Sequence, residues 1–244
     1  MYKIYASPKS RPSARRLATH MGAKLMKTRG DVCFVDIVWG NLSNSPRKVW
    51  LNCEYGLANT TIDKLEQYKE FDKANVPCPR WTTDKEKAKE FKKAFARKTV
   101  KGHSGVGIED FNGQDAIVYT EYVPKKREFR VHVVGNYPEV DIQEKKKKKG
   151  VEVNYQIRNK KNGWVYCRDI ELAPELKARL TELAKSALNA LWPFTNWGAV
   201  DIIYNEKQDK LYVLEVNSAP GLEGYTVEFY SNAFKHLLKG TKSE

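Results

Sequence analysis

The sequence predicts an α+β fold opened by a small α/β unit. Three observations carry that reading. The chain begins strand, helix, strand. Its second half holds strands separated by short polar turns, which pair antiparallel. One long helix, Pro174 to Leu191, sets Leu176, Leu180, Leu183, Ala187 and Leu191 on one side, with Pro174 in its first turn. At 244 residues, 41% hydrophobic and 11% aromatic, the chain is globular, with room for one large domain or two to three small subdomains.

In chain order, YKIYA alternates as a strand. SPKSRPSARRLATHMGAKLM reads as a helix with Leu17, Met21 and Leu25 along one face, stopped by Gly30. VCFVDIVWG reads as a buried strand running into the turn GNLSNSP. This unit lacks GxGxxG, so nothing supports a dinucleotide site there. TTIDKLEQYKEFDKANVPCP is a helix that Thr60 or Thr61 can cap, with Ile62, Leu65 and Tyr68 on one face and Val76–Pro77 ending it. A second helix, TDKEKAKEFKKAF, leads through a short strand to KGHSGVGIEDF. Strands IVYTEYV and EFRVHVVG flank PKKR, and NYQIRN with GWVYCRDI reads as a hairpin around KNG. GAVDIIYN and KLYVLEVN follow the long helix as a second hairpin.

The formal charge is +13, part of it in the run Lys145–Lys149. Such a run reads by itself as a solvated face or loop. The excess still raises the local concentration of anions, whether nucleic acid, nucleotide phosphates or acidic peptides. No apolar run reaches membrane-spanning length, since Asp36 interrupts VCFVDIVWG, and MYKIYASPKSR lacks a signal-peptide core. Cys33, Cys53, Cys78 and Cys167 form no CxxC pair, which argues against zinc and a disulfide framework. A cytoplasmic protein without membrane contact is expected.

Three segments point to chemistry. If the last hairpin turns at Lys207–Gln208, Asp201 lies across from Glu215 to within about one residue, and Asn217 shares the face of Glu215. Two carboxylates and an amide, without His or Cys, suit Mg²⁺ or Mn²⁺, which completes its shell with water and phosphate oxygens. Singly, each residue reads as an ordinary strand or turn former; the trio before Pro220–Gly221 favours a metal. HSGVGI, His103 to Ile108, has the spacing for backbone N–H groups to approach phosphate, although it is not a Walker A loop. TEYVPKKREFRVHVV puts Glu128, Arg130 and His132 on one strand face, an acid for ribose hydroxyls and a guanidinium for phosphate or carboxylate. Cross-strand charge pairing is the bland alternative for that face.

In this order the three segments resemble the ATP-grasp carboxylate–amine ligases, from about Ile62 to Tyr230. More narrowly, VKGHSGVGI, IRNKKNGW and EVNSAPGLEG are similar to ATP-grasp proteins of tailed phages, which would mean a host-cytoplasm location. The resemblance implies two α+β subdomains clasping ATP. Residues 62–122 would form the small subdomain with its Gly-rich loop, and 123–244 the large subdomain with the metal hairpin. Residues 1–61 would be the α/β unit preceding them. It implies Glu121, Tyr122 and Val123 at adenine and Glu128 at ribose. Lys64 and either Arg97 or Lys98 would meet the phosphates, Lys98 fitting the family position best, with Ser104, Gly105, Val106 and Gly107 as a lid. Asp201, Glu215 and Asn217 would hold Mg²⁺ (or Mn²⁺). Arg130 and Arg158 would steady an acyl-phosphate and the incoming substrate. The implied activity is ATP-dependent joining of a carboxylate to an amine, acid and amine unspecified. The basic excess suggests a polyanionic substrate, an acidic peptide or modified nucleic acid. The alternative is a non-catalytic basic nucleic-acid-binding protein, which would leave the Asp201, Glu215 and Asn217 arrangement unexplained.

Overall fold

The computed structural model describes residues 1–6, 8–26, 34–41, 50–51, 57–59, 62–100 and 107–240. The chain opens with β1 (Lys3–Ala6), α1 (Arg11–Met21), β2 (Lys24–Met26), β3 (Phe34–Val35), β4 (Ile37–Asn41), β5 (Trp50–Leu51) and β6 (Leu57–Asn59). Strands β2-β1-β4-β6 form a parallel sheet, and β3 pairs with β5. α1 is shorter than its sequence pattern suggests. Gly22, at φ 65°, caps it in the left-handed conformation that glycine adopts without a Cβ clash. Leu25 therefore lies on β2 rather than on the helix, and Gly30 falls outside the described residues.

The next block holds α2 (Lys64–Lys73), β7 (Trp81–Thr82), α3 (Lys85–Ala88), β8 (Ala94–Arg97), β9 (Ile108–Asp110) and β10 (Val118–Glu121). Their strands make an antiparallel sheet in the order β7-β10-β8-β9. Asp63 caps α2, accepting from the Leu65 and Glu66 amides; the expected caps Thr60 and Thr61 lie outside the described residues. The expected second helix shrinks to α3, because Ala94 to Arg97 pair as a strand with both β9 and β10.

The last block holds β11 (Arg127–Val134), β12 (Asp141–Lys147), β13 (Trp164–Cys167), α4 (Pro174–Ala190), β14 (Trp197–Asn205), β15 (Lys210–Asn217) and α5 (Tyr225–Gly240). The sheet order is β13-β12-β11-β14-β15, antiparallel throughout. The lysine run belongs to β12 and pairs with β13, so GWVYC finds its partner in the run and not in NYQIRN. One sheet face packs Phe129, Val131, Val133, Val200, Ile202 and Val213 with Leu180, Ala184 and Leu188 of α4. The N-terminal sheet and α1 share a separate core with α5, centred on Trp39, Trp197, Tyr230 and Phe234. Among the described residues no helix is long and apolar enough to cross a membrane.

Candidate active site

The other face of the five-stranded sheet is polar and forms the floor of a cavity of about 620 Å³. Register explains how its side chains meet. Gln143 lies opposite Arg130, Arg130 opposite Asp201 and Asp201 opposite Glu215, one row across four strands. The register then slips between Asp201 and Ile202, which pairs with Val213. Leu214 is the extra residue of this bulge, and Leu214, Glu215 and Asn217 all border the cavity.

Each acid in the row has a cation. Arg130 grips Asp201 through Nε to Oδ1 at 2.7 Å and Nη2 to Oδ2 at 2.9 Å, a planar two-point pair. Burial pulls the Asp201 carboxyl upward, but the charges of Arg130 and Lys145 outweigh it and hold the group below its usual range. Lys64 Nζ lies 2.7 Å from Glu215. The first turn of α2 reaches β15 because Gln67 bonds both backbone groups of Val216: Val216 N donates to Oε1 at 2.8 Å and Nε2 donates to Val216 O at 3.0 Å. This clamp sets Lys64 over Glu215 and buries Tyr68 against the cavity.

Arg97, Tyr68, Glu121, Tyr122 and Val123 also line the cavity. Lys98, which better fits the family position, points elsewhere: its side chain is about half exposed and bonds Glu109 at 3.1 Å. Alternation along β8 sends Arg97 inward and its neighbour outward, so Arg97 and not Lys98 borders the cavity. Gly107, at φ 74°, turns the chain into β9, and a Cβ there would stand 2.6 Å from Thr99 Cγ2. Ser104, Gly105 and Val106 lie outside the described residues.

Glu128 is buried between Lys145, which donates to Oε1, and Lys125 Nζ at 3.4 Å. Arg158 borders the cavity but braces loops: it donates to the carbonyls of Lys126 and Lys125, each at 3.1 Å, and of Tyr155 at 3.3 Å, and stacks on Trp164. All three of its nitrogens thus donate to backbone carbonyls. Sequence reasoning missed Lys125, Gln143, Lys145, Tyr166 and Arg168. Lys145 was hidden in a run read as solvated, yet with Gln143, two residues before it on β12, it borders the cavity. Burial opposes its charge, but Glu128 and Asp201 more than compensate and raise its pKa.

The donor set can be tested against the groups expected here. Asp201, Glu215 and Asn217 offer oxygen alone, which fits a hard divalent cation. Tyr68 Oη and Arg97 Nε are buried without hydrogen-bond partners among the described residues, and both belong to the cavity wall. The Arg97 charge acts directly on Tyr68, so the two groups are neighbours on that wall, a pair of donors that fits a phosphate oxygen.

Residues 61–221 match the family model for the ATP-grasp domain. D-alanine–D-alanine ligase B of Chromobacterium violaceum is 28% identical over 128 residues, 52% of this chain and 40% of the relative. The chain thus spans less than half the length of the curated relative it matches. The solved D-alanine–D-alanine ligase of Bacillus anthracis superposes with a TM-score of 0.63 at 13% identity, covering 98% of this chain and 95% of that one. A RiPP-associated ATP-grasp ligase of Chryseobacterium gregarium, in complex with ADP and a leader and core peptide, gives 0.59 at 16% identity, covering 99% and 97%. At such identities the superpositions speak for the fold alone. Together with the match over residues 61–221, they lead to one conclusion: this chain belongs to the ATP-grasp family.

Proposed function

We infer that the chain is an ATP-dependent ligase that joins a carboxylate to an amine and releases ADP and phosphate. The observation that carries this reading is the facing pair Asp201 and Glu215, followed by Asn217, ringed by Lys64, Arg97 and Arg130 on one cavity wall. Buried acids arranged among fixed cations suit a substrate that brings both phosphate charge and a counter-ion.

Glu121, Tyr122 and Val123 border the adenine position, with Glu128 toward the ribose. Lys64 and Arg97 meet the phosphates. Asp201, Glu215 and Asn217 would hold Mg²⁺ (or Mn²⁺), which when bound offsets charge on the phosphate oxygens. The carboxylate oxygen of the acid attacks the γ-phosphorus, and the bond to the ADP oxygen breaks. The amine then attacks the acyl carbon, loses a proton, and phosphate leaves with the C–O electrons. Arg130 keeps Nη1 outside its pair with Asp201, available to the transferred phosphoryl group. Its place is fixed by that pair, so little reorganisation accompanies the reaction.

The acid is read as polyanionic, a peptide in preference to nucleic acid. Lys146 to Lys149 with Lys160 and Lys161 are exposed at the end of β12 and on the segment that joins it to β13, and Lys160 borders the cavity. Counterion release would make nucleic-acid binding fall steeply with salt, whereas a short acidic peptide loses much less.

The test is ADP release from ATP in the presence of pooled carboxylates and amines. Glu215→Gln and Asn217→Ala are each expected to lower it by about 100-fold or more. Parent-like turnover in both variants would remove the metal assignment, and no ADP release by the parent with any pool would remove the ligase reading.

A further inference from the structure

Between β12 and β13 the chain makes a long excursion, and its middle part borders the cavity through Gln156, Ile157, Arg158 and Asn159. The proposed reaction gives these residues no part. Their shape is set locally. Asn154 Oδ1 accepts from the amides of Gln156 and Ile157, each at 2.9 Å, which makes an Asx turn. Asn162 Nδ2 donates to Ile157 O at 2.7 Å, and Trp164 Nε1 donates to Asn154 O at 2.8 Å. The loop is thus closed on itself and fixed to the start of β13.

Its inner end is tied to the connection between β10 and β11, residues 122–126. Arg158 Nη1 donates to Lys126 O and Nη2 to Lys125 O, each at 3.1 Å. In the other direction, Lys125 Nζ donates to Gln156 O at 2.9 Å. Lys145 Nζ joins the loop to Glu128, donating to that carboxylate and to Arg158 O at 2.9 Å. Gln156 Oε1 accepts from Lys93 Nζ at 2.9 Å, and Lys93 O accepts from Tyr122 N at 2.8 Å. At the far end Lys126 N donates to Tyr204 O at 3.2 Å. The connection is therefore held at both ends, and Val123 between them makes no backbone hydrogen bond among the described residues.

A guanidinium is a costly brace. Arg158 is buried, and its three hydrogen bonds all go to neutral carbonyls. Burial lowers its pKa, with the charge of Glu128 pulling the other way. An apolar residue packed on Trp164 would hold the loop with less desolvation. What the guanidinium adds is geometry, because its planar fork takes two successive carbonyls at once. That grip fixes the peptide planes next to Val123.

We propose that Arg158 is a positioning residue for the nucleotide base: by holding the carbonyls of Lys125 and Lys126 it fixes the backbone of residues 122–126, and so sets which base the site accepts. The proposal rests on the ligase reading, which puts the base at Glu121, Tyr122 and Val123, and it gives Arg158 no contact with phosphate. Adenine presents an amino donor where hypoxanthine presents a carbonyl acceptor. A backbone held in place rejects the wrong pattern, whereas a loosened one admits both.

The experiment titrates three probes into the whole chain with Mg²⁺ by calorimetry: a non-hydrolysable ATP analogue, its hypoxanthine counterpart, and tripolyphosphate. The parent is expected to prefer the adenine analogue by at least about tenfold. Arg158→Lys keeps the charge but cannot span two carbonyls. It should weaken the adenine analogue about tenfold, bring the two analogues within about twofold of each other, and leave tripolyphosphate unchanged. Asn154→Ala, at an exposed position, removes only the turn that leads into Arg158. It should shift the preference the same way by a smaller factor. Weaker tripolyphosphate binding in Arg158→Lys would put the guanidinium at the phosphates and overturn the proposal. So would a parent without base preference, or an unchanged preference in Arg158→Lys or, where that variant does not fold, in Asn154→Ala. If none of the three probes binds the parent, the ligase reading itself fails.

Discussion

On one face of the five-stranded sheet, Phe129, Val131, Val133, Val200 and Ile202 pack against α4; on the other, the alternate residues of the same strands include Glu128, Arg130, His132 and Asp201, with Lys145 beside them on β12. The strands, the backbone hydrogen bonds and the register are common to both. What differs is the source of free energy. The α4 face gains by removing apolar surface from water. The cavity face must compensate the desolvation of every charge, and does so pair by pair: Arg130 with Asp201, Lys145 with Glu128, Lys64 with Glu215. Well-packed apolar residues would be at least as stable there. Buried charge is concentrated on the cavity face, and on the α4 face Glu144, opposite Phe129, is a buried acid paired with Arg127.

The sharpest way to break this comparison is to delete one residue from each face. Phe129→Ala opens a void beneath α4 and should cost about 3–5 kcal/mol in urea denaturation. Arg130→Ala should cost as much, about 3–5 kcal/mol, because it strands the Asp201 carboxylate without its partner. The two faces separate in the next step. Replacing the pair together, Arg130→Met with Asp201→Leu, should restore parental stability or exceed it by about 1–4 kcal/mol while abolishing ADP release. If the double variant stays as unstable as Arg130→Ala, the polar face is needed for folding and the contrast between the faces fails.

A smaller effect is expected where the two faces are joined at the sheet edge. Gln67 acts as a one-residue extension of the sheet, bonding both backbone groups of Val216. Gln67→Leu preserves volume but leaves a buried N–H and C=O unsatisfied, for roughly 1–3 kcal/mol. It should also raise the KM for ATP while changing kcat less, since Lys64 and Tyr68 ride on the same helix. An unchanged KM with reduced stability would mean that the clamp serves the fold alone.

How much of this face the sequence disclosed follows from the same alternation. The facing of Asp201 and Glu215 could be counted from a hairpin with a polar turn, and the structure pairs those two residues. Glu128, Arg130 and His132 were legible from period two on a single strand. Lys145 was not, because a homopolymeric run carries no pattern to reveal which members are buried; only the pairing of β12 with β13 separates it from exposed Lys146 and Lys147. Arg168 lies past the end of β13, and its partner Asp141 is 27 positions away, a distance no local pattern spans. Arg97 and Lys98 are adjacent, so the choice between them depended on where β8 starts. The early stop of α1 at Gly22 and the shortness of α3 were overrides of helical periodicity by a glycine cap and by strand pairing. Helix α5 went unread, although its apolar residues complete the N-terminal core.

The smallest effect at neutral pH, and the one that probes the polar face without removing a charge, concerns His132. Its ring lies between Tyr230 Oη at 3.3 Å and Gln143 Nε2 at 3.2 Å. Burial presses its pKa from 6.5 down to about 3; Asp141 and Asp201 pull it upward, while Arg130 and Arg168 push it down. The imidazole is thus neutral in the folded chain and takes up a proton near pH 6.5 in the unfolded one. As pH falls below 6.5 the unfolded state binds the proton first, so stability is lost toward acid, by roughly 1.4 kcal/mol per pH unit until the folded-state value is reached. Its full contribution is present above pH 6.5. The buried acids Asp141, Glu144 and Asp201 are held below the usual carboxylate range, which leaves pH 6 to 5 as the interval where this histidine contributes most. His132→Gln keeps a donor and an acceptor for Tyr230 and Gln143 but cannot titrate. Its stability at pH 7 should stay within about 1 kcal/mol of the parent, and its decline between pH 6.5 and 5 should be shallower by about 2 kcal/mol. Parallel curves for the two proteins would mean that the ring is reached by water, and with it that the inner end of the polar face is wetter than its packing implies.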